Sequence, residues 1–139
     1  MADYRKSIGT KEEPLELQAP SGSGSYTMHV EEKQGTDLLV CTVGKTVLHY
    51  DLRCIEDLSA MLKSHGGWIL LGSKDEKQVT SEGTVEHWAR SSDNPIGGWY
   101  GLKKNFRGRF AMYVPPLMEY LGLAEVEHNS RDNRMRHKG

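Results

Sequence analysis

From Tyr26 the chain alternates: Tyr26, Met28 and Val30 are apolar where Thr27, His29 and Glu31 are polar. A period of two puts one set of side chains on each face of a strand, so a strand with one buried face is predicted here. Gly35 supplies a turn, and Leu38, Leu39, Val40, Cys41 and Val43 form a short apolar run. Gly44 and Lys45 then make a two-residue turn into Thr46, Val47, Leu48, His49 and Tyr50, again rich in β-formers. The pattern predicts a three-stranded antiparallel meander.

At Asp51 the period changes to that of a helix, with Leu52, Ile55, Leu58, Met61 and Leu62 on one face. The Asp51 carboxylate is a natural acceptor for the free amides of a first turn, and Gly66-Gly67 supplies the left-handed stop. Trp68, Ile69, Leu70 and Leu71 read as a short fourth strand, and the polar stretch 72–83 as a loop. Thr84 is a cap for a short helix carrying Val85, Trp88 and Ala89 inward, ended by Asn94-Pro95. A helix is expected from Arg109 to Tyr113, broken at Pro115-Pro116 and resumed through Leu117, Met118, Tyr120 and Leu121 to Gly122. Residues 123–127 read as a strand, and residues 134–137 as its return.

Residues 1–24 lack any sustained apolar period and contain Pro14, Pro20 and the run Ser21 to Ser25. Linker composition of this kind predicts a flexible N-terminal arm, dispensable for folding, ahead of one α+β domain over residues 25–139. A chain of 139 residues is long enough to bury one core without staples. The only cysteines, Cys41 and Cys54, lie in apolar segments and read as buried thiols. No apolar run approaches the roughly 20 residues that span a bilayer, and residues 1–10 lack the apolar stretch of a secretory signal. A cytoplasmic location without membrane association is the expectation.

Few chemical motifs survive inspection. Gly44-Lys45-Thr46 has the ending of a phosphate-binding loop, but its first glycine would fall at Leu39 and a strand follows where a helix is needed. No two of the six histidines have the i, i+4 spacing that turns a pair toward zinc on one helix face. There is no nucleophile elbow and no dinucleotide fingerprint, so no cofactor is expected and the reading points away from an enzyme. Trp99 and Tyr100 sit between glycines in Gly97-Gly98-Trp99-Tyr100-Gly101. They read either as core plugs beside Trp68 and Trp88 or as an interaction hot spot.

Charge is the most informative feature. The net charge is -1, but residues 1–99 carry 10 basic against 15 acidic side chains and residues 100–139 carry 8 against 4. Lys103, Lys104, Arg107 and Arg109 lead into the helical region 110–122, and Arg131, Arg134, Arg136 and Lys138 follow the terminal turn. This order of helix, Leu121-Gly122-Leu123 step and basic hairpin resembles the recognition helix and wing of winged-helix DNA-binding domains. Arg131-Asp132-Asn133-Arg134 is similar to the wing of the multiple-antibiotic-resistance-type repressors. The chain as a whole is similar to small uncharacterised bacterial proteins.

The resemblance implies a winged-helix-like C-terminal half behind the meander. It also implies a non-enzymatic module that binds duplex nucleic acid. Lys103, Lys104 and Arg107 would meet phosphates, Arg109 and Tyr113 would face a groove, and Arg131 and Arg134 would lie on the wing. The alternative from another class is a protein-interaction or dimerisation module that uses Trp99, Tyr100 and a sheet edge.

Overall fold

The structure, a computed structural model, describes residues 4–139. The chain opens with one helical turn, α1 (Arg5–Ile8), and a short strand, β1 (Leu15–Gln18). β1 pairs antiparallel with β2 (Ser25–Lys33), Leu15 opposite Met28 and Leu17 opposite Tyr26. Ile8 is fully buried and Leu17 nearly so. The Val30 amide donates to the Gly9 carbonyl at 3.3 Å, and a Cβ at Gly9 would lie 2.4 Å from the Glu13 carbonyl oxygen.

The segment expected to be a flexible arm is therefore integrated into the domain from residue 4 on, and it supplies β1 as a fourth strand beside the three-stranded meander. Residues 1–3 of that expected arm lie outside the described residues. The reason is physical: Ile8, Leu15 and Leu17 are too few to form a period, and the partners that bury them lie farther along the chain. The Ser-Gly run that suggested a linker belongs to the connection between β1 and β2.

β3 (Thr36–Val43) and β4 (Thr46–Asp51) complete the first sheet, in the order β1-β2-β3-β4. Val43 faces Thr46 across the Gly44-Lys45 turn, which is the expected hairpin. The inner face presents Tyr26, Met28, Leu39, Cys41, Leu48 and Tyr50 to the core. Burial pushes both thiols, Cys41 and Cys54, above the usual range of cysteine.

α2 (Cys54–His65) contributes Ile55, Leu58 and Leu62 to the same core and closes on Gly66, left-handed at φ 79°. Asp51 ends β4 and not the helix, although its carboxylate still accepts from the Arg53 amide at 3.1 Å. β5 (Ile69–Leu70) leaves the first sheet and joins a second one. α3 (Val85–Trp88) is capped as expected, the Thr84 hydroxyl accepting from the His87 amide.

α4 (Phe110–Tyr120) runs through Pro115 and Pro116 where a break was expected. The two prolines forfeit two intrahelical hydrogen bonds, and burial of both rings in the core supplies the offsetting contact. The Tyr26 hydroxyl donates to the Tyr113 carbonyl at 2.7 Å, which binds the helix to β2.

β6 (Ala124–Val126) and β7 (Arg134–His137) form a hairpin, and β7 is the centre of a three-stranded sheet ordered β5-β7-β6. The hairpin is thus extended into a sheet by β5 on the far side of β7. Of the fold expected, the mixed α+β class and the N-terminal antiparallel sheet stand. Among the described residues, no helix is long and apolar enough to cross a membrane.

Ile8→Ala is expected to lower stability by about 2–5 kcal/mol, the range for truncating a fully buried large aliphatic side chain. Urea denaturation measures it. An unchanged midpoint would mean that the N-terminal segment does not pack on the domain.

Candidate functional site

Glu86 is a buried carboxylate at the start of α3, its side chain 1% exposed. Helical spacing of four residues brings Arg90 onto it at 3.0 Å. Its other oxygen accepts from the Ala111 amide at 3.0 Å and from the Lys74 amide at 3.4 Å. The residue preceding α4, Arg109, is left-handed at φ 62° and offers no side-chain cap, so Glu86 caps that helix from outside. Burial raises the Glu86 carboxyl above the usual range, while the Ala111 amide and the Arg90 guanidinium pull it back down.

Arg90 then gathers the loop after β5. Its guanidinium donates to the carbonyls of Lys74 at 3.2 Å and Gln78 at 3.1 Å, and it lies 4.3 Å over the Trp99 ring. Glu76 on that loop accepts from the amides of Asn105 at 2.9 Å and Arg107 at 2.7 Å. Gly108 is required where these segments meet, because a Cβ there would lie 2.4 Å from the Glu76 nitrogen. The Arg109 amide donates to the Lys74 carbonyl at 2.9 Å. One buried ion pair therefore fixes the 74–78 loop, the 103–109 loop and the first turn of α4 relative to one another.

Beside this junction lies a cleft of about 380 Å³, within the range of small-ligand sites. Its walls are residues 70–74, the start of α4 at Ala111 and Met112, residues 19–21, and the β6–β7 turn at residues 130–133. Lys74 and Arg131 both line it. The Ser73 Oγ is buried there without a hydrogen-bond partner.

The expected nucleic-acid residues separate into three groups. Lys103, Lys104 and Arg109 are exposed and enter no ion pair among the described residues; the Lys103 ammonium lies 5.0 Å over Phe106. Arg131 is exposed and reaches only its neighbour Asp132, at 3.9 Å. Arg134 and Arg107 are engaged elsewhere: Arg134 pairs with both oxygens of Glu127, and Arg107 lies over the Trp99 ring at 5.8 Å. Arg136 likewise pairs with Glu125 at 3.0 Å.

Tyr113 is buried, its ring edge-on to Tyr26 at 5.0 Å, so the groove-facing role expected of it is closed in this fold. Eight of the eleven residues of α4 are buried, and Met112, Glu119 and Tyr120 are its accessible positions.

Trp99 and Tyr100 are placed by the same junction. Tyr100 is fully buried, donates its hydroxyl to Asp57 at 2.8 Å and stacks near Trp88 and Phe110. The edge of β4 is partly covered by a bridge between Tyr50 and Gly101 and by the Leu102 amide on the His49 carbonyl at 2.8 Å. Among the described residues, no group of three or more His, Cys, Asp or Glu side chains could hold a metal ion.

Residues 19–21 also wall a second cleft, shared with Glu16, Glu119, Tyr120 and His128. His128 Nδ1 donates to the Pro20 carbonyl at 2.9 Å, and Nε2 meets the Glu119 carboxylate at 2.7 Å. Both partners only accept, so the ring satisfies both as the imidazolium. Glu119 accordingly raises the His128 pKa, its hydrogen bond outweighing partial burial.

The sequence reading passed over Ser73, Lys74, Glu76, Glu86 and Arg90. A Glu four residues before an Arg, on a segment that also carries Trp88, was the available signal for the ion pair. The long polar stretch 72–83 was the signal for the loop.

A family model described as Family of unknown function (DUF6855) matches residues 7–138. No curated protein and no solved structure matches the chain.

Two outcomes test this geometry. Glu86→Ala is expected to cost about 3–5 kcal/mol in urea denaturation, because it leaves a desolvated guanidinium and an uncapped helix. The His128 tie has the sign of a raised pKa: its stabilisation is full below the unfolded value of about 6.5 and is lost as pH rises through the folded value. Thermal melts across that window are expected to fall in the wild type and to lose this component in Glu119→Gln. An identical pH profile in the variant would remove the tie.

Proposed function

The chain belongs to the DUF6855 family, whose description carries no activity, and we propose that it is a binding module for single-stranded nucleic acid. The observation that carries this reading is the placing of Lys74 and Arg131 on the walls of one cleft. Arg109 is bonded through its amide to the Lys74 carbonyl, and Lys103 and Lys104 continue the charge along the adjoining loop.

Together these cations would supply a track for phosphates. The half-buried Phe106 is an aromatic in the same loop, a surface on which a base can stack. Of the carboxylates here, Glu86 is committed to Arg90 and two amides, Glu76 to the amides of Asn105 and Arg107, and Asp132 is loosely held by Arg131.

A single strand fits better than the duplex implied by the winged-helix resemblance. The cleft volume is that of a small-ligand site, far below the cross-section of a double helix. Most of α4 is taken up by the core, and Arg134 and Arg136 of the hairpin are paired with Glu127 and Glu125. The protein-interaction reading has less support, since Tyr100 is buried and the Trp99 ring is engaged by the guanidinium groups of Arg90 and Arg107.

Fluorescence anisotropy with a labelled single-stranded oligonucleotide, titrated at several salt concentrations, tests the reading. Lys74→Ala, Arg109→Ala and Arg131→Ala are each expected to weaken binding and to reduce the salt slope by about 0.7, the single-strand value per phosphate contact. Arg134→Ala is expected to leave the slope unchanged, because Glu127 already holds its charge. No binding at low salt, or an Arg134→Ala effect as large as that of Arg131→Ala, would overturn it.

A further inference from the structure

We propose that the cleft contains a seat for a single phosphoryl group, with the Ser73 hydroxyl as its buried donor and Lys74 and Arg131 as its counter-charges. The seat rests on the nucleic-acid reading and names the part of the strand that enters the cleft. It starts from an unsatisfied group. The Ser73 Oγ is buried without a partner, and a buried hydroxyl is ordinarily hydrogen-bonded, because leaving it unpaired costs free energy.

The other buried polar side chains of the cleft are already committed. The Thr84 hydroxyl donates to the Ser81 carbonyl at 2.7 Å and accepts from the His87 amide at 3.2 Å. The Asn133 amide closes on Asn129, accepting at 2.6 Å and donating at 2.9 Å. Ser73 alone among these keeps its full hydrogen-bonding capacity.

Its position is held firmly. Gly72, left-handed at φ 60°, presses against the first turn of α3, and a Cβ there would sit 2.6 Å from the Thr84 side chain. The backbone is fastened on either side of it: before it the Leu71 amide donates to the Asn133 carbonyl at 2.9 Å and the Leu71 carbonyl accepts from the Glu86 amide at 3.0 Å, and after it the Lys74 carbonyl accepts from the Arg109 amide at 2.9 Å. The hydroxyl is thus fixed in a wall that Lys74 and Arg131 also line.

Leu71, Ala111 and Met112 make part of the lining apolar, and an apolar wall strengthens an ion contact relative to open water. A phosphoryl group is tetrahedral and dianionic or monoanionic, so it can accept from one hydroxyl and two cations at once. Asp132 is the competing carboxylate, 81% exposed and 3.9 Å from Arg131; an arriving phosphoryl group would displace that weak pairing.

The test is clean because Ser73 bonds nothing in the free protein, so Ser73→Ala is expected to leave the melting temperature unchanged. Inorganic phosphate titrated into isotope-labelled full-length protein is expected to shift the amide resonances of Ser73, Lys74 and Arg131. Ser73→Ala is expected to weaken that binding by roughly tenfold or more, the loss of a hydrogen bond to a charged group.

Two further probes, a 5′-phosphorylated single-stranded oligonucleotide and its 5′-hydroxyl counterpart, identify the source. Tighter binding of the phosphorylated strand, abolished in Ser73→Ala, assigns the seat to a strand end. Phosphate binding without any oligonucleotide binding keeps the seat, assigns it to a small phosphorylated ligand and sinks the nucleic-acid reading. Oligonucleotide binding that is indifferent to Ser73→Ala, with no response to phosphate, sinks the seat and leaves the nucleic-acid reading standing. A clearly lowered melting temperature in Ser73→Ala would also overturn the proposal, since the hydroxyl would then be structural.

Discussion

A carboxylate in the protein interior must be surrounded by donors or be protonated, and the architecture around Glu86 follows from that constraint. Its oxygens take the Arg90 guanidinium, the Ala111 amide and, at longer range, the Lys74 amide. Each partner belongs to a different segment, so one residue ties α3, α4 and the loop after β5 into a single unit. Desolvation of the pair is costly, and such pairs are weak evidence for stability by themselves. Here the pair also sets position: without it the first turn of α4 has no cap and Arg90 no fixed geometry from which to gather the loop carbonyls.

The distribution of charge shows how far geometry departs from counting. The C-terminal forty residues are basic in sum, yet their hairpin is close to neutral in space, because Glu125 on β6 and Glu127 just beyond it pair with Arg136 and Arg134 on β7. Trp68 lies under the same two guanidinium groups at 5.1 and 4.4 Å, so these arginines cover an aromatic ring as well as pairing across strands. The cations left available come instead from loops, and one of them, Lys74, lies in the acidic part of the sequence.

Local rules were the legible part of the fold. The alternation around Tyr26 and Met28, the Gly44-Lys45 turn, the Gly66 stop and the Thr84 cap each depend on neighbours within a few residues, and each appears where the pattern puts it. Long-range partnership was hidden. Ile8 and Leu17 are buried by residues far along the chain, β5 finds β7 and not the preceding strands, and the prolines of α4 are tolerated because the core encloses them. For the candidate site the outcome is similar: Arg109 and Arg131 were visible as charges, whereas Ser73 and Lys74 look like ordinary loop residues until the β5–β7 pairing brings them opposite the 130–133 turn.

That pairing has a kinetic consequence. The four-stranded sheet is a succession of neighbouring hairpins, closed with short loops, while the second sheet joins Ile69 to Met135 and closes nearly half of the chain between them. The cleft walls at 70–74 and 130–133 meet only once this ladder has formed, so a chain that holds the meander but has released β7 has no cleft. Occupancy of the cleft and hydrogen exchange at the β7 amides are therefore thermodynamically linked: a bound ligand slows exchange there while the β2–β3 amides continue to report global unfolding.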